Sequence, residues 1–181
     1  MSNNYVPQPR IGGYAMAPKV AKAVSPQPMF SSSSVSPMIE IIQNRLYFVS
    51  GQRPPQSFLD SYFFCIDSEL VYESFNHDFG PVNLAMTHKF VRELIRLLAD
   101  PQYKDYKIIH HCSNKFDKQA NAAYLMGAFM VIVLKVKPSA IWDLMEPYHS
   151  QFVPFRDASY AVDCSYPCTL LHCWEGLEYA I

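Results

Sequence analysis

The sequence predicts an α/β layer structure, a central sheet flanked by helices, and three features predict it. Two short β-type runs precede the first helix-period segment. A third, Lys107 to His110, follows that segment. A charge-free apolar run from Ala120 to Leu134 comes soon after. Strands, helix, central strand, buried helix and further helices, in that order, make layers around one core. Half of the 181 residues are hydrophobic, enough to furnish such a core.

Residues 1–37 stand apart. They hold Pro7, Pro9, Pro18, Pro26, Pro28 and Pro37 with the run Ser31 to Ser34, and no hydrophobic period. Such a stretch buries too little surface to offset its conformational entropy, so a disordered tail is expected. Ser25-Pro26 and Ser36-Pro37 are candidate sites for proline-directed kinases, although such dipeptides also arise by chance in Ser/Pro-rich tails. The folded domain is expected over 38–181. Arg45 to Ser50 reads as a strand ended by Gly51, Pro54 and Pro55. Tyr62 to Ile66 reads as a second strand, buried on both faces. Past a polar stretch with Asn76, His77 and Asp78, Gly80-Pro81 signals a turn. Asn83 then caps a helix whose stripe is Leu84, Phe90, Val91, Leu94, Ile95 and Leu98, with Pro101 past its end.

After the Lys107 to His110 strand, a helix is expected from Lys118 to Val136. Its uncharged part is about fifteen residues, whereas crossing hydrocarbon takes ~20, so a helix buried on nearly all sides is the reading. Pro138 or Ser139 opens a short helix with Ile141, Trp142, Leu144 and Met145, ended by Pro147. A final helix runs from about Pro167 with Leu170, Leu171, Trp174, Leu177 and Tyr179.

Charge is balanced, 15 Lys+Arg against 16 Asp+Glu, which gives no electrostatic case for nucleic acid or a membrane surface. The N-terminus has no basic stretch followed by an apolar block, so no signal peptide is expected. Five cysteines, an odd number, fit reduced thiols in the cytoplasm or nucleus better than a disulfide framework.

The chemically suggestive segment is His110-His111-Cys112-Ser113-Asn114-Lys115-Phe116-Asp117-Lys118. A Cys between a strand and a helix N-terminus is where cysteine-dependent phosphatases hold their nucleophile. That chemistry needs an ionised thiol, loop amides that cradle phosphate oxygens, and an Arg six positions on to fork two of those oxygens. Here the sixth position is Lys118, the third is Lys115 where Gly would ease the turn, and Asp117 adds negative charge beside the anion. The expectation is a phosphatase-like fold with a degenerate, non-catalytic loop.

Four segments carry a family resemblance: Asn44 to Phe48, Asp78 to Met86, Lys118 to Ala123 and Val153 to Ala158. In order and spacing they resemble the N-terminal domain of the cell-division-cycle-fourteen type of dual-specificity phosphatase, over about residues 39–181. The resemblance implies a protein-tyrosine-phosphatase-like domain that lacks the working loop and helps form a substrate groove. The partner would be a C-terminal catalytic domain with a His-Cys-five-residues-Arg loop. The implied substrates are phosphoproteins carrying phosphoserine followed by proline, in cell-cycle control, in nucleus and cytoplasm. Ile181 would lie near the inter-domain linker, and this chain alone would be inactive.

Other residues invite functional readings. Cys164, Cys168 and His172, with Cys173 adjacent, have ligand-like spacing, but Pro167 as a helix start leaves Cys164 outside, and buried apolar cysteines are the better reading. His110 and His111 beside Cys112 have poor tetrahedral geometry. Asp78 reads as a turn or cap residue rather than a general acid. Arg156-Asp157 beside Phe155 reads as a local ion pair or backbone anchor, with the inter-domain face as the rival. No catalytic or metal residue and no cofactor is assigned. Rival functions are a stand-alone pseudophosphatase that binds phosphoproteins or partners, and an active enzyme using Cys112. An accessory half would leave Trp142, Phe152 or Trp174 exposed; a stand-alone domain would have no orphan apolar patch.

Overall fold

The computed structural model describes residues 36–51, 60–160 and 163–181. The expected tail lies outside the described residues except for Ser36 and Pro37, and so does the Ser25-Pro26 site. Regular structure begins with β1 (Ile39–Ile42), a strand the sequence reading did not single out. Asn44, in the left-handed region at φ 55°, turns the chain into β2 (Leu46–Val49), and Glu40 accepts from the Asn44 amide at 2.7 Å. β3 is Ser61–Phe64, and β4 is Lys107–His111. The sheet order is β1-β2-β4-β3, with β1 antiparallel to β2 and β4 parallel to both neighbours.

The strand alternation sorts the core. Leu46, Phe48 and Ile108 join one large cluster, to which all four α-helices contribute, while Tyr47, Val49 and Ile109 form a small cluster with Phe63 on the other face. β3 is only half-buried at every position, contrary to the expectation of burial on both faces, because it is the edge of the sheet.

α1 (Leu84–Ala99) starts where expected: the Asn83 side chain accepts from the Met86 amide at 2.9 Å. Phe90, Val91 and Leu94 are buried, but Leu84 is 69% exposed. As the first helical residue it precedes the first packed turn of the stripe. The far end of α1 is held by Arg45, whose guanidinium donates to the carbonyls of Leu98 (3.0 Å), Tyr103 (2.6 Å) and Tyr106. A cation there matches the negative end of the helix.

α2 (Phe116–Ile132) is buried at every position from Gln119 to Val131. It begins earlier than expected and stops short of Val136: Lys135 turns left-handed at φ 56° and Val136 N–H bonds back to Met130 O at 3.1 Å. No described helix is long and apolar enough to cross a membrane. α3 (Pro138–Leu144) opens at Pro138, and Pro147 falls inside a following 3-10 turn, Glu146–Gln151. α4 (Leu170–Ala180) starts three residues after Pro167, with Thr169 as its cap. It crosses α2 where Gly127 faces the Trp174 indole; a Cβ on Gly127 would lie 2.1 Å from that ring. Trp174 Nε1–H donates to Tyr124 O at 3.1 Å.

Candidate functional site

β4 delivers His110, His111 and Cys112 to the loop that opens α2, and β2 delivers Val49 and Ser50 alongside through their parallel register. Cys112 is fully buried, its Sγ 3.9 Å from Val49 O and from Ser50 Oγ. Burial pushes the thiol up to about 12, outweighing the contacts from Gly51 and Ser50 that favour the thiolate. A phosphatase nucleophile needs the opposite, partial exposure and a depressed pKa.

The loop amides are likewise engaged. Ser113 N–H donates to Asp67 Oδ2 at 2.8 Å, so a carboxylate from the chain itself occupies an amide that a phosphate-binding loop would offer to its ligand. Asp67 lies 46 residues away in sequence and no local signal pointed to it. Lys115 stands exposed at the cap position of α2 and makes no side-chain cap bond. Lys118 Nζ lies 3.9 Å from Asp117 Oδ2, its neighbour. Gln119 and Ser50 both reach Gln151, at 2.8 and 3.4 Å, and the buried Tyr148 hydroxyl donates to Pro37 O.

His110 is wholly buried between Phe64 (stacked, centroids 4.8 Å apart), Phe90 (5.2 Å) and Phe48 (5.6 Å). Neither ring nitrogen has a hydrogen-bond partner among the described residues, and burial lowers its pKa to about 3. It is a neutral aromatic filler. His111 lies beside Phe63, ring centroids 6.4 Å apart.

Asp78 is spent on its own loop. Its carboxylate accepts from Tyr72 OH (2.5 Å) and from the amides of Asn76 (2.7 Å) and Phe75 (3.0 Å). The Tyr72 hydroxyl, then the Asn76 amide, hold it down to about 2. Asp157 accepts from the Ser159 hydroxyl and amide at 2.5 and 3.1 Å, contacts that lower its pKa more than neighbouring Arg156 does. Asn76 Nδ2 donates to Ser159 O at 3.0 Å, tying the two loops together.

Asn121, read from the sequence only as part of a motif, joins two of the four resemblance segments, Lys118 to Ala123 and Asp78 to Met86. Its Oδ1 accepts from Val82 N at 3.0 Å, and its Nδ2 donates to Phe79 O (2.6 Å) and Asp117 O (2.9 Å). Gly80 fits because a Cβ there would meet Asn121 Oδ1 at 2.6 Å and the Phe155 ring at 2.5 Å. Phe155 in turn packs on Phe79 (centroids 5.4 Å).

Cys164, Cys168, His172 and Cys173 are not assembled as ligands; no group of three or more His, Cys, Asp or Glu among the described residues could hold a metal ion. His172 instead completes a capping box with Thr169. A cavity of about 360 Å³ between β3 and α1, lined by residues including Tyr62, Phe64, Cys65, Phe90 and Tyr103, takes in no residue of the Cys112 loop.

The expected exposed residues are not those found. Trp174 is fully buried, and Trp142, stacked on His149 at 3.8 Å, is half-buried with Phe152. Packing of α4 on α2 claims the indole that sequence alone left available. Exposed apolar residues include Phe75, Leu84, Phe116, Val153 and Tyr160, on or beside the segments tied by Asn121, Asn76 and Phe155, and also Tyr166, Tyr179 and Ile181 toward α4. Phe116 packs edge-on against Phe79 at 5.0 Å.

A family model described as the N-terminal half of dual specificity protein phosphatases matches residues 40–180. The chain belongs to this family. The resemblance read from the four segments is thereby borne out. The dual specificity protein phosphatase CDC14A of Mus musculus is 40% identical over 140 residues, which cover 77% of this chain and 23% of that protein. The mouse CDC14B is 34% identical over 163 residues, 90% of this chain and 33% of that protein. The tyrosine-protein phosphatase CDC14 homolog of Schizosaccharomyces pombe is 32% identical over 152 residues, 82% and 28% respectively. This phosphatase N-terminal half thus spans about a quarter to a third of the relatives named here.

Proposed function

We propose that this domain is the substrate-groove and scaffold half of a dual-specificity protein phosphatase and is inactive by itself. The observation that carries the reading is the Cys112 thiol, wholly buried and held protonated, with Asp67 on the adjoining loop amide and Lys118 where the arginine fork belongs. The partner is a C-terminal catalytic domain. The substrates are phosphoproteins with phospho-Ser-Pro sites in cell-cycle control, met in nucleus and cytoplasm. The names of the CDC14 relatives support the phosphatase reading. The catalytic partner, the phospho-Ser-Pro sites, the cell-cycle role and the two compartments rest on the resemblance of the four segments.

The side chains assigned to docking are Phe75, Leu84, Phe116 and Tyr160, exposed by 76, 69, 52 and 82%. A catalytic half would cover them; a stand-alone pseudophosphatase would be expected to lack such side chains. The purified chain should not hydrolyse p-nitrophenyl phosphate or a phospho-Ser-Pro peptide, and Cys112→Ser should not change that. Turnover that disappears in both Cys112→Ser and Lys118→Ala would overturn the proposal in favour of an active single-domain enzyme.

A further inference from the structure

The entry of α4 brings two sulfurs together. Thr169 is the cap, so Cys168 precedes the cap and Cys173 is the fourth helical residue. These are the positions at which a hydrophobic staple normally closes over the first turn. Here both are cysteines, with Sγ atoms 3.5 Å apart. Closure to the ~2.05 Å of a disulfide needs a small side-chain movement. The backbone beneath is fixed from both sides. Cys168 exchanges two hydrogen bonds of 2.8 Å with Phe155, and Cys173 N–H donates to Thr169 O at 3.1 Å. Both residues are partly exposed, whereas Cys112 is sealed in the core.

We propose that Cys168 and Cys173 are a reversible oxidation site, forming an intramolecular disulfide on exposure to hydrogen peroxide. The Cys168 thiolate attacks one peroxide oxygen, the O–O bond breaks, and with one proton taken up the products are a sulfenic acid and water. The Cys173 sulfur then attacks that sulfenic sulfur. The S–O bond breaks, the hydroxyl leaves with the Cys173 proton as a second water, and the S–S bond is formed. Two thiols are oxidised and one peroxide is reduced to two waters. Burial, then the neighbouring Cys168 sulfur, favours the protonated Cys173 thiol, so the first attack on peroxide falls to Cys168. The bridge ties the first turn of α4 to the strand-like pair formed by Phe155 and Cys168.

The test is peroxide treatment of the full chain, alkylation of the remaining thiols and mass mapping. Trypsin leaves residues 157–181 as one fragment with Cys164, Cys168 and Cys173, because Arg156 is the last basic cleavage site. That fragment should lose two hydrogens and carry one alkyl group, placed on Cys164 by fragmentation, and dithiothreitol should restore three alkylatable thiols. Cys164→Ser should still bridge; Cys168→Ala and Cys173→Ala should not. The proposal is overturned if all three thiols remain alkylatable, if they oxidise singly to sulfinic acids, or if the bridge includes Cys164 or a second chain.

Discussion

Asn121 and Gly127 sit on the same buried helix, less than two turns apart, and fasten it in opposite ways. Around Asn121 the fastening is polar and directional: one carboxamide satisfies the Val82 amide and the Phe79 and Asp117 carbonyls. Around Gly127 it is steric, the missing side chain making room for the Trp174 indole. The difference follows what each half of α2 must hold. The first half faces an irregular loop, whose backbone groups need partners once water is excluded. The second half faces another helix, whose backbone is already satisfied and asks only for shape.

The steric contact should be the costlier to disturb. Gly127→Ala drives a methyl into the Trp174 ring and is expected to destabilise by about 3 kcal/mol, measured by denaturant unfolding. The pair Gly127→Ala with Trp174→Phe should recover part of the loss, and if it recovers none the contact is not what fixes the crossing.

On the polar side, Asn121→Ala strands the Val82 amide and the Phe79 carbonyl and is expected to cost roughly 2 kcal/mol, with faster hydrogen exchange at Val82. Exchange at the α4 amides should stay unchanged. Loosening of both ends alike would erase the distinction between the halves.

His110 sharpens the same comparison, being buried and polar without a partner among the described residues. Its folded pKa of about 3 lies below the ordinary 6.5, so the unfolded chain binds a proton that the folded one refuses. Stability should therefore fall as pH drops from about 6.5 toward 3. His110→Phe should flatten that limb and change stability at neutral pH by only about 1 kcal/mol, in either direction. The acid loss from Asp78, whose pKa is depressed from 3.8 to about 2, begins lower and should persist in the variant. An unchanged limb above pH 4 would mean that His110 is hydrated in the folded state.

The order of elements was legible because its signals are local. Asn83 caps α1 through a contact three residues away, and the apolar run of α2 is written in consecutive letters. Four segments also sufficed to place the chain beside its phosphatase relatives. The strand β1 escaped because Ile39–Ile42 adjoins the Ser/Pro-rich stretch, where composition rather than alternation marks the boundary. The burial of β3 was overestimated because a strand's letters do not say whether it ends up at the edge of the sheet.

At the candidate site, sequence determined which residue types stand in the loop, and so that Lys118 replaces the arginine. Tertiary structure decided the rest. Asp67 meets Ser113 across 46 residues, Ser50 meets Cys112 across 62, and Trp174 meets Tyr124 across 50. A thiol's acidity depends on the water and charges around it, and those are set by which distant segments close over it. The letters at 110–118 resemble a reactive loop in part; the packing of β2, β4 and α2 makes Cys112 a core residue, because burial away from water favours the neutral thiol over the thiolate.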